Sequence, residues 1–226
     1  MAKHYGVRVK AFNISHEQIV FARARAKEQG LAAQVEFIEE DYRNIRGRFD
    51  AFVSLGMVEH VGEEHYNQLG RVIHEAIGDS GRGLLHFIGR NYPRPFSVWI
   101  RKRVFPGAHA PALREAMQIL EPSDFSVLDV ENLRSHYAKT LEYWLRRFER
   151  SYDTVAQRFG AKFARMWRLY LAGSIAAFKL NFQERSAETR HIEVEGVERV
   201  KTVGSYKQEV DLRSEGKAAD QKYCPA

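Results

Sequence analysis

The sequence predicts an α/β fold built on a mainly parallel sheet. Three observations lead there: short β-rich runs recur along the first ninety residues, helix-type stretches separate them, and polar residues suited to chemistry follow the apolar runs. With 226 residues the chain is long enough to bury its own core.

Val7-Arg-Val-Lys-Ala-Phe-Asn-Ile14 nearly alternates and reads as the first strand. Ser15-His-Glu-Gln18 then has the pattern of a capping box, opening a helix that Gly30 can end. Gln34–Ile38 reads as a second strand, Phe49–Leu55 as a third, and Gly83–Ile88 as a fourth after a helical stretch, Glu63–Ile77. Between Gly89 and Glu121 the rhythm breaks. Four of the six prolines (Pro93, Pro95, Pro106 and Pro111) cluster around the basic, ring-flanked stretch Phe96–Phe105, so residues 90–122 read as an inserted loop-and-helix segment.

Phe125–Val130 resumes as a strand, and helices are expected near Thr140–Tyr152 and Val155–Phe178. In the latter, Val155, Phe159, Phe163, Met166, Trp167, Tyr170 and Leu171 recur at helical spacing and read as core. After Asn181 the composition turns polar and mixed in charge. Only Ile192–Val194 and Val200–Val203 qualify there as strand candidates, and residues 181–226 are expected to form a poorly packed tail.

Hydrophobic residues at 44% and charged residues at 28% exclude a wholly disordered or collagen-like chain. A single cysteine, Cys224, excludes an internal disulfide and a Cys-rich zinc site and fits a reducing compartment. The longest uncharged apolar run, Leu169–Phe178, is too short to cross a bilayer, and Met1–Lys10 lacks an apolar signal region, so a cytoplasmic protein is expected. The net charge is +6, yet residues 181–226 hold eight basic and nine acidic groups, so the surplus belongs to the first 180 residues and suits a polyanionic partner. A nucleic acid is the less favoured one, since no glycine-rich RNA motif, recognition-helix signature or zinc finger accompanies the charge.

In a doubly wound sheet, ligands sit beyond the carboxyl ends of the strands. Asn13 and Ser15 follow the first run, Asp41-Tyr42 the second, Gly56-Met-Val-Glu-His60 the third, and His86-Phe-Ile-Gly89 straddles the end of the fourth. Singly, each has a plain reading as cap, turn or core residue; in register they mark a site. Glu59 with His60 or His86 has the composition of proton-handling machinery, while His86 reads equally as a core histidine. His4, His60, His65 and His74 lack metal-ligand spacing, and no metal is assigned.

Asp41-Tyr-Arg43, Gly56-Met-Val-Glu-His-Val-Gly62, Leu84-Leu-His-Phe-Ile-Gly89, Phe105-Pro-Gly107, Glu131–Leu141 and Arg165–Leu171, in this order over about residues 3–180, resemble the cyclopropane-fatty-acyl-phospholipid synthase family. The resemblance implies a class I S-adenosylmethionine-dependent methyltransferase (Rossmann-like) sheet with helices on both faces and a helical, lipid-facing insertion. It implies addition of a methylene across a cis double bond of a phospholipid acyl chain. Glu59, His86, Tyr137 and the backbone of Ile88 would hold bicarbonate, which takes a proton from the transferred methyl. Gln18 and Asn13 would lie at the cofactor's ribose, and Asp41 and Tyr42 at its adenine.

Two departures from the family pattern are noted. The family's first strand and glycine-rich loop would fall before Lys3, so residues 1–180 are expected to form a truncated catalytic domain whose sheet lacks that strand and whose activity is impaired. The family also closes with an antiparallel strand, whereas here Ala177–Gln183 runs into the polar tail. The partner implied is an acyl chain at an anionic membrane surface, approached peripherally, and an oligomer is compatible with the sequence. A non-catalytic remnant that binds anionic lipid through Arg94, Arg101, Lys102, Arg103, Arg146, Arg147 and Arg150 is the alternative.

Overall fold

The computed structural model describes residues 1–95, 97–179 and 187–196. A short helix α1 (Ala2–Tyr5) leads into β1 (Val9–Asn13), α2 (His16–Glu28) and β2 (Val35–Glu39), and then β3 (Ala51–Leu55), α3 (Val58–Val61), α4 (Tyr66–Ile77) and β4 (Arg82–Arg90). The insertion contains α5 (Val98–Arg103) and α6 (Leu113–Leu120); β5 (Phe125–Asn132), α7 (Arg134–Arg150), α8 (Tyr152–Phe159), α9 (Ala161–Lys179) and β6 (Ala187–Gly196) follow.

The strands form two sheets. β1 and β2 pair in parallel, Val9 opposite Val35. The second sheet has the order β3-β4-β6-β5, with β3 and β4 parallel and β6 antiparallel to both neighbours. Among the described strands β1 and β3 do not pair, and Leu55 at the end of β3 is 68% exposed.

The strand β6 corrects two expectations. The region after residue 181 is not uniformly a poorly packed tail, and the closing antiparallel strand is present: β6 lies between β4 and β5, with Gly83 opposite Val194 and Val130 opposite Ile192. Ile192 and Val194 are buried in the core. Residues i and i+2 share one face of a strand, so two apolar residues in Ile-Glu-Val-Glu suffice to dock a segment whose overall composition is polar. Val200–Val203 lies outside the described residues.

Period-two alternation in β4 divides the core. Leu85 and Phe87 point into one cluster with Leu69, Ile73, Ile119 and Leu120 of α4 and α6. Ile88, on the opposite face, packs against a second cluster formed by Ala138 and Leu141 of α7 with Leu171 and Phe178 of α9. Helix α4 approaches α6 so closely that a Cβ on Gly70 would lie 1.9 Å from the Ile119 carbonyl oxygen.

The single helix expected over Val155–Phe178 is two helices. The chain breaks at Gly160, whose φ of 89° suits glycine. Reading its apolar stripe as core holds for Leu171, and Trp167 and Tyr170 lie half-buried against the second cluster. It fails for Phe159 and Phe163, which are 57% and 37% exposed. No helix among the described residues is long and apolar enough to cross a membrane.

Candidate active site

Two groups of polar residues stand at the carboxyl ends of the strands. On the first sheet, Asn13 ends β1 and organises the turn into α2: its Oδ1 accepts the Ser15 N–H at 2.7 Å, and its Nδ2 donates to Gln18 Oε1 at 2.9 Å. The Ser15 side chain makes no capping bond, so the expected capping box does not form, and the Asn13 side chain holds the turn instead. Asp41, just after β2, accepts the Arg43 N–H at 2.9 Å and the Arg43 guanidinium at 2.8 and 2.7 Å. That guanidinium holds the Asp41 carboxyl down at about 2. Tyr42 is half-buried against the first core, and burial raises its hydroxyl.

The second group joins β3, β4 and α7. Gly56 adopts a left-handed φ of 62° directly after β3, with open space where a Cβ would stand, and the chain turns into α3. This places Glu59, only 9% exposed, beside β4, where its Oε1 accepts the Ile88 N–H at 2.6 Å. Its other oxygen, Oε2, is buried and has no hydrogen-bond partner among the described residues. Burial pushes the Glu59 carboxyl above its ordinary range, against the pull of the Ile88 amide. His86 lies two residues before Ile88, so the two share the face of β4 turned toward the second core.

Tyr137 comes from the first turn of α7, edge-on to Trp144 at 5.9 Å and tilted against Phe178 at 5.0 Å. Its hydroxyl is pushed up to about 12 by burial, reinforced by Tyr170 and Glu59 nearby. The structure therefore brings Glu59, Ile88 and Tyr137 together, with His86 on the same strand face. Asn13–Gln18 and Asp41–Tyr42 form separate groups on the other sheet.

Two features escape sequence reasoning. Tyr170, read as core, stands beside Tyr137, and Phe105 packs edge-on to it at 5.6 Å; the only signal was the helical spacing of the rings. Glu63, His109 and Glu115 converge to within 4.8 Å although their spacing suggests nothing. There Glu115 accepts the Ala112 N–H at 2.6 Å at the start of α6, and Glu63 accepts from Gln118, so the group braces the insertion against the segment entering α4.

The residues offer groups of the kind the family resemblance implies. The partnerless Oε2 of Glu59 can accept from the hydroxyl of an anion such as bicarbonate. Asn13, Gln18 and Tyr42 offer amides and a ring for a nucleoside.

The parallel strand pairs and antiparallel closing strand are arranged as in class I S-adenosylmethionine-dependent methyltransferases, the fold of the solved structures this chain resembles. A cyclopropane synthase from Mycobacterium tuberculosis superposes with a TM-score of 0.77 at 18% identity, over 86% of this chain and 72% of that one. A mycolic acid cyclopropane synthase complexed with SAH and CTAB matches equally well, with a TM-score of 0.77 at 20% identity and the same coverage. The family model for mycolic acid cyclopropane synthetase matches residues 1–186, and the chain belongs to that family.

A probable fatty acid methyltransferase from Pseudomonas putida is 36% identical over 186 residues, covering 79% of this chain and 47% of the relative. The cyclopropane-fatty-acyl-phospholipid synthase of Escherichia coli K12 is 34% identical over 180 residues, covering 79% and 46%. The chain thus spans about half the length of these two relatives.

Proposed function

We propose that the chain carries the catalytic half of an S-adenosylmethionine-dependent enzyme that adds a one-carbon unit to a cis double bond of a phospholipid acyl chain, closing it to a cyclopropane. The observation that carries this reading is the Glu59 carboxylate. It is buried, fixed on one oxygen by the Ile88 amide and, among the described residues, unpartnered on the other. Asn13, Gln18, Asp41 and Tyr42 would hold S-adenosylmethionine, which would supply the one-carbon unit as a sulfonium methyl. Glu59, His86, Ile88 and Tyr137 would hold bicarbonate, which would supply a base.

The chain's own residues do the rest. An alkene is a weak nucleophile, so the reaction needs a dry site with aromatic faces toward developing positive charge. Tyr137, Tyr170 and Phe105 line such a site, and burial keeps the Tyr137 and Tyr170 hydroxyls neutral as donors. The membrane partner is an anionic surface. Helix α5 supports this, with exposed Val98 and Trp99 beside Arg101, Lys102 and Arg103.

The test is calorimetric titration with S-adenosylmethionine, followed by incubation with phospholipid vesicles carrying cis-unsaturated chains. Release of S-adenosylhomocysteine with a matching gain of one methylene in the acyl chain supports the assignment. Lipid binding with neither cofactor binding nor turnover replaces it with the lipid-binding remnant.

A further inference from the structure

Glu63, His109 and Glu115 come from three places in the chain: the turn before α4, the loop of the insertion and the first turn of α6. Each offers one ligand atom, and these atoms lie within 4.8 Å of one another. Among the described residues no other group of three or more histidine, cysteine or carboxylate side chains converges as closely. Spacing along the sequence assigns no metal here, because only the fold brings Glu63 to the other two.

The group is poorly satisfied without a cation. Glu115 is buried, and its Oε2 accepts the Ala112 N–H at 2.6 Å. His109 Nε2 approaches that same oxygen to 3.4 Å without a hydrogen bond, and it is buried with no partner among the described residues. The Tyr66 hydroxyl is a second such group, on a side chain that has no exposure to water. Burial raises this hydroxyl first, and the negative charges of Glu115 and Glu63 raise it further, so it lies in the field of the cluster. Two orphaned buried groups beside two carboxylates call for a positive centre.

The donor set selects the ion. One imidazole nitrogen and two carboxylates suit zinc and its first-row neighbours, whereas calcium and magnesium take oxygen ligands alone. The 3.4 Å between Nε2 and Oε2 is close to the edge of a tetrahedron whose bonds are about 2.1 Å long.

We propose that Glu63, His109 and Glu115 bind one zinc ion, leaving its fourth position to water, and that the ion pins the insertion to the segment between Glu59 and α4. The backbone supplies the second half of the proposal. The His109 N–H donates to the Glu59 carbonyl at 2.8 Å, and Glu63 accepts from Gln118 of α6 at 3.2 Å. An ion held here therefore sets the position of the Glu59 main chain. Its ligands are none of the residues assigned to the lipid-modifying reaction, and the site does not depend on that reading.

The experiment uses the full chain, free of any affinity tag, with Cys224→Ser to remove a thiolate that would take zinc elsewhere. Calorimetric titration with zinc chloride should show one equivalent bound. Glu63→Gln, His109→Ala and Glu115→Gln should each weaken that binding about tenfold or more. Glutamine at 115 keeps an acceptor for the Ala112 N–H, so the start of α6 survives the loss of charge. Zinc should raise the Tm of the parent and slow amide exchange at His109. Both effects should shrink in Glu63→Gln at the same zinc concentration, and excess magnesium chloride should not compete. No zinc bound, or equal binding by the parent and all three variants, overturns the proposal. Competition by magnesium overturns the choice of ion. A lower Tm in His109→Ala with no effect of zinc on the parent reduces the cluster to an ion pair between His109 and Glu115.

Discussion

The Glu59 carboxylate and the Ile88 amide, 29 residues apart in sequence, meet at 2.6 Å, so a side chain on α3 is held by the backbone of β4. Two consequences follow for any residue that replaces Glu59. Glutamine keeps an acceptor for the Ile88 N–H, so Glu59→Gln should fold normally. It removes the ionisable oxygen, and turnover should fall by a hundredfold or more, about the size of a lost acid–base group. Release of S-adenosylhomocysteine by parent and variant measures this.

The same substitution has a pH signature. Burial raises the Glu59 carboxyl in the folded state, so the folded chain holds this proton more tightly than the unfolded one. The contribution of Glu59 to stability is therefore greatest in acid and declines as pH rises from the unfolded value through the raised folded one. Urea unfolding at about pH 4 and about pH 8 should show Glu59→Gln gaining stability relative to the parent at the higher pH. A difference that does not change with pH would mean that Glu59 is not strained by burial.

Tyr137→Phe separates chemistry from packing at the α7 contribution to the site. The ring keeps its contacts with Trp144 and Phe178, so unfolding should shift by no more than about 1 kcal/mol, while turnover falls by about tenfold or more through the lost hydroxyl. Tyr137→Ala removes the ring as well and should cost about 3 kcal/mol in denaturant unfolding.

Gly70→Ala tests the approach of α4 to α6. Alanine improves helix propensity by about 1 kcal/mol, but its Cβ would lie 1.9 Å from the Ile119 carbonyl oxygen and 2.6 Å from Ser123 Oγ. Backbone cannot yield that distance locally, so overpacking should win, with a net loss of about 2 kcal/mol and a lower Tm.

Ile192→Ala tests whether β6 belongs to the core. Ile192 is fully buried between β4 and β5, and its truncation should cost about 2 to 4 kcal/mol. Gly83→Ala should also destabilise, because its Cβ would come within 2.8 Å of Val194 Cγ2. Pairing it with Val194→Ala should recover part of that loss, a coupling that only contact between β4 and β6 produces.

The sequence by itself determined the local elements: the period-two runs of β1 to β5, the amphipathic spacing of α4 and α9, and the placement of Asn13, Asp41, Glu59 and His86 after apolar runs. These are set by interactions among neighbours along the chain, so they are legible one residue at a time. The tertiary structure alone decided the rest. It turned Ala187–Gly196 into an inner strand, because β4 and β5 needed a shared partner and Ile192 and Val194 could fill one face. It left the Ser15 side chain without a capping bond and tied the Ser15 amide to Asn13, and it set the Ile88 amide against Glu59. It also put Phe159 and Phe163 into solvent, since helical spacing states only that rings share a stripe; whether that stripe meets core or water depends on which helices pack beside it.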